Sequence, residues 1–247
     1  YADVNVAASS ESTNFDRIPA RSEWKLSDNA AYLHLCSNET IGGVQFHEFP
    51  NSDVPVVADM SSDILSRPLN VEDFGLIYAG AQKNIGPAGL TLVVVRDDLL
   101  GDVHPLLPSV LNYKTQAAAD SMSNTPPTYG WYLAGLVFDW LLANGGVAGA
   151  QERNQRKASK LYAAIEASNY YRAPVQPDVR SQMNVPFTLA NADQDKAFVV
   201  GAEERGLMNL KGHRSVGGMR ASLYNAVTEA SVDALIEYMQ EFEREHG

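Results

Sequence analysis

Cysteine is nearly absent. Cys36 is the only one in 247 residues, which excludes an internal disulfide and any zinc site built on paired thiolates. It closes the run Tyr32-Leu33-His34-Leu35-Cys36 and is expected to be a buried apolar residue there. Positive charge is also scarce, with 19 Lys and Arg against 30 Asp and Glu and a net charge of −11. Nucleic-acid phosphates require clustered cations, so a nucleic-acid partner is not expected. A small anionic ligand needs only a few well-placed cations and stays open. No apolar run approaches the roughly 18 residues needed to cross a bilayer, so no membrane span is expected. The five histidines are scattered and no pair has metal-ligand spacing. Gly86-Pro87-Ala88-Gly89 and Gly145-Gly146-Val147-Ala148-Gly149 lack both the Walker lysine and the strand-GxGxxG-helix order, so neither is a nucleotide-phosphate loop. There is no internal repeat, low-complexity tract or signal-peptide pattern. The opening Tyr1-Ala2-Asp3-Val4-Asn5-Val6 reads as the middle of an element. A reducing cytosol is the expected setting.

What is present alternates. Apolar runs at 30–36, 54–59, 76–80 and 90–96 predict strands, and their continuity predicts a sheet covered on both faces. Gly42-Gly43 marks a polar turn after the first. Between Tyr129 and Asn144, Leu133, Leu136, Val137, Trp140 and Leu141 recur at helical spacing. Trp131 and Trp140 are expected to be core or helix-packing residues. Gly145-Gly146 ends that helix. A more polar one follows over 147–168, with Leu161 and Ile165 four apart. A strand at 185–189, a helix at 195–206 and a closing helix at 231–246 complete the chain. Ser231 is the expected cap of the last helix, and Val232, Leu235, Ile236 and Met239 form its inner face. Strands alternating with helices indicate an α/β fold with a mostly parallel sheet. The shift in composition at Gly145-Gly146 predicts two domains, 1–146 and 147–247.

Lys83 stands out chemically. It lies in Ala79-Gly80-Ala81-Gln82-Lys83-Asn84-Ile85-Gly86, among small residues and between two predicted strands. An isolated lysine is ordinarily a solvated surface charge. One held in such a loop at a sheet edge is partly desolvated, which lowers its pKa and frees a neutral amine to attack an aldehyde. Asp59, at the end of an earlier buried run, reads either as a loop or cap acid or as a carboxylate that keeps a cofactor ring nitrogen protonated. The segment from His213 to Arg220 gathers His213, Arg214 and Arg220 among Gly212, Gly217 and Gly218. It reads as a solvated basic turn or as an anion site, since glycine lets backbone approach an anion closely. Asn124-Thr125-Pro126-Pro127 reads as a rigid turn before the long helix.

Five stretches carry a more specific signal. They are Leu26 to Tyr32 with Ser37-Asn38-Glu39-Thr40-Ile41, Ala79 to Gly89, Ser123 to Thr128, and Leu210 to Ser222. In order and length they resemble the phosphoserine aminotransferase family, from end to end of the chain. The resemblance implies a fold-type I pyridoxal 5'-phosphate (PLP) enzyme. Such an enzyme has a large α/β domain with a mostly parallel sheet and a smaller α/β C-terminal domain, and it is a homodimer with shared sites. It implies amino transfer between glutamate and 3-phosphohydroxypyruvate in serine biosynthesis, with pyridoxine biosynthesis as a second pathway left open. By position, Lys83 matches the Schiff-base lysine and Asp59 the partner of the pyridine nitrogen. Thr40 and Gln82 match cofactor ligands, and Asn124 and Thr125 match residues that reach the neighbouring subunit's cofactor phosphate. His213 and Arg214 match the pair at the substrate's distal anion, and Arg220 matches the clamp on the α-carboxylate.

The family's front third has no counterpart before Tyr1. It carries a glycine-arginine turn at the cofactor phosphate, an aromatic stacked on the pyridine ring, and a histidine-arginine pair given to the partner. A chain beginning at Tyr1 is expected to bind cofactor weakly. The alternatives are another fold-type I enzyme, such as an alanine–glyoxylate aminotransferase, or a catalytically silent fragment. A cysteine desulfurase would need a mobile nucleophilic cysteine, and Cys36 in an apolar run is a poor one.

Overall fold

The structure, a computed structural model, describes residues 3–101 and 103–247. Its first sheet has the order β1-β2-β3-β4, with β1 Leu33–Cys36, β2 Val56–Asp59, β3 Leu76–Gly80 and β4 Thr91–Val95. The first three strands are parallel and β4 closes the edge antiparallel to β3. The apolar segment 90–96, the clearest strand in the sequence, is therefore the reversed one. Parallel β1, β2 and β3 end at Cys36, Asp59 and Gly80. The loops that follow them emerge along one sheet edge, the place where α/β sheets bind ligands.

One face of this sheet is buried, and the other is half-buried on β2 and β3 and exposed on β1. On β1, Leu33 and Leu35 are buried while His34 and Cys36 are exposed. The buried face continues through Val56, Ala58, Ile77 and Ala79 onto Ile64, Phe74, Ile85 and Ala134. Those residues come from the 60–85 loops and from α2 (Thr128–Ala143), which all lie on one side. Cys36 is thus not a buried core residue, although its thiol is pushed up to about 11, by burial first and then by the nearby Asp59 charge. α2 likewise buries only Gly130, Ala134 and Leu141. Of the core and helix-packing roles expected of Trp131 and Trp140, the core role fails, since both are exposed, while Arg153 of the following helix lies over the Trp140 ring at 5.9 Å.

The second sheet, β5-β6-β7, is antiparallel: β5 Tyr171–Arg172, β6 Asn184–Leu189 and β7 Met219–Ser222. Around it pack α3 (Gly146–Glu166), α4 (Asp195–Glu204) and α5 (Glu229–His246). Leu161, Ile165, Phe187, Phe198, Tyr238 and Phe242 form its core. α5 starts earlier than the sequence suggested. Thr228 is the cap, and its side chain accepts the Ser231 N–H. Val232, Leu235 and Met239 are buried as expected, and Ile236 is partly buried. No single helix among the described residues is long and apolar enough to cross a membrane.

Candidate active site

The turn after β1 presents Thr40. The Glu39 carboxylate accepts the Ile41 N–H at 3.1 Å, and the Gly43 N–H returns to the Glu39 carbonyl at 3.0 Å. Gly43 is required there. Its φ is 79°, and a Cβ would stand 2.8 Å from the Asn184 carbonyl oxygen. Directly after β1, Ser37 pins the end of β2. Its N–H and its hydroxyl both donate to the Asp59 carbonyl, at 2.9 and 3.1 Å. The Asp59 carboxylate accepts the Ser61 N–H at 2.9 Å, and the Ser61 hydroxyl accepts the Gly80 N–H at 3.0 Å. The β2 and β3 ends are thereby tied together.

Lys83 follows β3 and is half-buried. Its Nζ donates to Thr40 Oγ1 at 2.6 Å. Burial pushes the Lys83 amine below the ordinary lysine value and the Arg220 charge adds to that, while Cys36, Asp59 and Glu39 pull the other way. Arg220, on β7 of the other sheet, donates from Nη1 to the Thr40 carbonyl at 3.2 Å. Its Nε is buried with no partner. A buried guanidinium N–H without an acceptor is costly unless something anionic completes it. A depressed lysine, an unfilled guanidinium and a carboxylate at one sheet edge fit a cofactor with an aldehyde and a basic ring nitrogen, plus an anionic substrate.

The other expected residues are less drawn in. Gln82 is exposed, with its amide folded back over Gly80. Asn124 and Thr125 are exposed just before α2, and the Asn124 amide donates only to the Thr125 carbonyl. His213 shares a 2.7 Å hydrogen bond with Ser215, and Arg214 is exposed with no ion pair among the described residues. Their loop is closed by glycine backbone, with the Gly212 N–H donating to the Gly218 carbonyl at 2.8 Å. A Cβ at Gly212 would stand 2.8 Å from that same carbonyl oxygen, so the glycines here serve the loop's own close approach. Sequence reasoning did not find Ser37 or Ser61, nor Tyr78, which meets His34 at 3.0 Å. Serines after buried strands carry no distinguishing spacing.

Residues 2–235 match the class-V aminotransferase family. The phosphoserine aminotransferase of Pseudomonas aeruginosa is 60% identical over 248 residues, which cover 100% of this chain and 69% of that protein. The chain belongs to the phosphoserine aminotransferase family. As a member of this family it is a PLP-dependent aminotransferase. The structure of the phosphoserine aminotransferase from Bacillus circulans subsp. alkalophilus superimposes with a TM-score of 0.97 at 50% identity, covering 100% of this chain and 69% of that one. The PLP-bound phosphoserine aminotransferase of Trichomonas vaginalis gives 0.89 at 43% identity, covering 92% and 65%.

Proposed function

We propose that this site transfers an amino group between glutamate and 3-phosphohydroxypyruvate, yielding phosphoserine for serine synthesis, in a cytoplasmic homodimer. The observation that carries the reading is the bridge through Thr40, which brings a depressed lysine and an incompletely paired arginine to one edge of the parallel sheet.

When bound, PLP supplies an electron sink for the negative charge that develops at the substrate α-carbon. The chain's own residues do the rest. Lys83 is the covalent attachment point and moves the α-proton. Burial lowers its pKa, which favours the neutral amine that can act as a base. Asp59 would partner the ring nitrogen and favour its protonated form. Thr40 and Gln82 would hold the cofactor, and Asn124 and Thr125 would serve the cofactor phosphate of a neighbouring subunit. Arg220 takes the α-carboxylate, where a guanidinium fork meets two oxygens at once. His213 and Arg214, on the glycine loop, take the distal anion of the substrate. Residues 1–146 form the later part of the large domain and 147–247 the small domain.

The test is amino transfer by the holoenzyme from glutamate to a panel of 2-oxo acids. Phosphohydroxypyruvate is expected to outrun glyoxylate and pyruvate. A preference for glyoxylate would overturn the substrate assignment. Borohydride reduction followed by peptide mapping should place the pyridoxyl group on Lys83, and a label on another lysine would overturn that role.

A further inference from the structure

A single buried polar network runs near three proposed site residues: Asn84 adjoins Lys83, Asn225 lies in the loop beyond Arg220, and the network's backbone acceptors at 64–66 lie beyond Asp59. Asn84 directly follows Lys83 and is buried. Its side-chain carbonyl accepts the Asn225 backbone N–H at 3.0 Å, and its amide donates to the Ile64 carbonyl at 3.0 Å. Asn225 lies in the loop after β7, the strand that bears Arg220. Its amide donates to the Leu65 carbonyl at 2.9 Å, and its side-chain oxygen accepts from Asn154 of α3 at 2.8 Å. Asn154 also donates to the Ser66 carbonyl at 3.2 Å. Residues 64–66 follow the turn that leaves Asp59, and Leu65 has a φ of 62°, a conformation a branched side chain adopts only under constraint. One turn along α3, buried Lys157 donates to the carbonyls of Leu223, Tyr224 and Val227 at 2.8 to 2.9 Å, holding the same loop.

None of these side chains hydrogen-bonds to Thr40, Lys83 or Arg220. They join the backbone beside Lys83, the backbone beyond Asp59 and the backbone beyond Arg220 across two separate hydrophobic cores. Apart from Asn154 Oδ1, which has no partner, the polar atoms of these side chains are paired, and breaking any of their bonds leaves an unpaired group in a low-dielectric interior, which holds the network rigid.

We propose that Asn84 and Asn225, backed by Asn154, are positioning residues of the transamination. Their hydrogen bonds set the spacing between the Lys83 amine and the Arg220 guanidinium, and so align the α-carbon and α-carboxylate of the bound amino acid. This deepens the reading given above and rests on its roles for Lys83 and Arg220. A bound amino acid is held at both points, so a shift between them misaligns the proton that Lys83 must reach. 4-Aminobutyrate keeps the distal carboxylate for His213 and Arg214 but presents no group to Arg220, so a shift between Lys83 and Arg220 does not misalign it.

The experiment uses Asn84→Ala and Asn225→Ala holoenzymes in single turnover. The substrates are glutamate and 4-aminobutyrate, which is the same amine without the α-carboxylate. Circular dichroism and the cofactor absorption spectrum report whether fold and loading persist. Glutamate turnover is expected to fall roughly ten- to a hundredfold, the scale of a misplacement near 1 Å, while 4-aminobutyrate turnover changes less than about threefold. An equal fall for both substrates, or no fall for either, overturns the inference. If one variant fails to fold, the other decides, because Asn225→Ala keeps the backbone bond to Asn84 and loses only the side-chain bonds. Arg220→Ala in the same assay separates the two levels. It should abolish the wild-type preference for glutamate over 4-aminobutyrate. If the preference survives, the role of Arg220 falls and this inference falls with it. If Arg220→Ala behaves as expected and Asn84→Ala lowers both rates alike, the positioning inference alone falls.

Discussion

Thr40 hydrogen-bonds Lys83 with its side chain, Lys83 Nζ donating to Oγ1 at 2.6 Å, and uses its own carbonyl to accept Arg220. One residue of the turn after β1 therefore joins the reactive amine of one sheet to a guanidinium of the other. The hydroxyl stabilises the charged amine, while burial disfavours it. Thr40→Val removes the acceptor and keeps the shape and the backbone carbonyl. The Lys83 amine should then titrate at lower pH, seen as a shift in the pH profile of its reaction with pyridoxal. Losing one hydrogen bond of about 1 kcal/mol should weaken cofactor binding about fivefold. An unshifted profile would show that the hydroxyl does not bear on the amine.

Lys157 predicts a pH dependence of stability. Burial, reinforced by Arg153, pushes its amine down to about 8, against about 10.4 for a lysine in the unfolded chain. Between those values the unfolded chain binds more protons. The burden of the buried charge is therefore full below pH 8 and is relieved as the pH rises toward 10.4. Lys157→Met relieves the charge outright but leaves the carbonyls of Leu223, Tyr224 and Val227 without it. The orphaned carbonyls should dominate, lowering stability by about 2 kcal/mol at pH 7. The gap between wild type and variant should widen from pH 8 to pH 10, because only the wild type gains. Urea melts at several pH values measure it. A gap that narrows with pH would reverse the sign argued here.

Substrate selection should divide between two arginines. Arg220 has a buried Nε awaiting an acceptor, whereas Arg214 is exposed on the glycine loop. Arg214→Ala should raise KM for phosphohydroxypyruvate roughly ten- to a hundredfold, the loss of one charge-assisted hydrogen bond, and spare alanine. Arg220→Ala should harm every amino acid alike, since each has an α-carboxylate. Steady-state kinetics with phosphoserine, glutamate and alanine separate the two, and a uniform loss in both variants would contradict the division.

Asn124 and Thr125 touch none of the Lys83, Thr40 and Arg220 group within one chain, which leaves them available to a neighbour's site. Mixing inactive Lys83→Ala chains with inactive chains carrying Asn124→Ala and Thr125→Ala should restore activity. Each heterodimer then has one site with both lesions and one with neither. No recovery after verified subunit exchange would place these residues in their own chain's site or in none.

The sequence alone determined the local chemistry. Strands at 76–80 and 90–96, the glycine stops and the setting of Lys83 follow from side-chain periodicity and backbone preference, which act over a few neighbours. It also carried the order of motifs that marks the family. It did not determine which faces are covered. Trp140 and Cys36 lie in runs that read as core, yet both are exposed, because burial depends on what packs opposite and an apolar run does not say. The direction of β4 and the strand that carries Arg220 were equally out of reach, since pairing partners lie far along the chain. Above all, only tertiary structure set Asn84 against Asn225, and Lys157 against the loop after β7. A buried hydrogen bond between distant residues leaves no periodic trace. It is specified by the cost of leaving either partner unpaired once the two cores have closed.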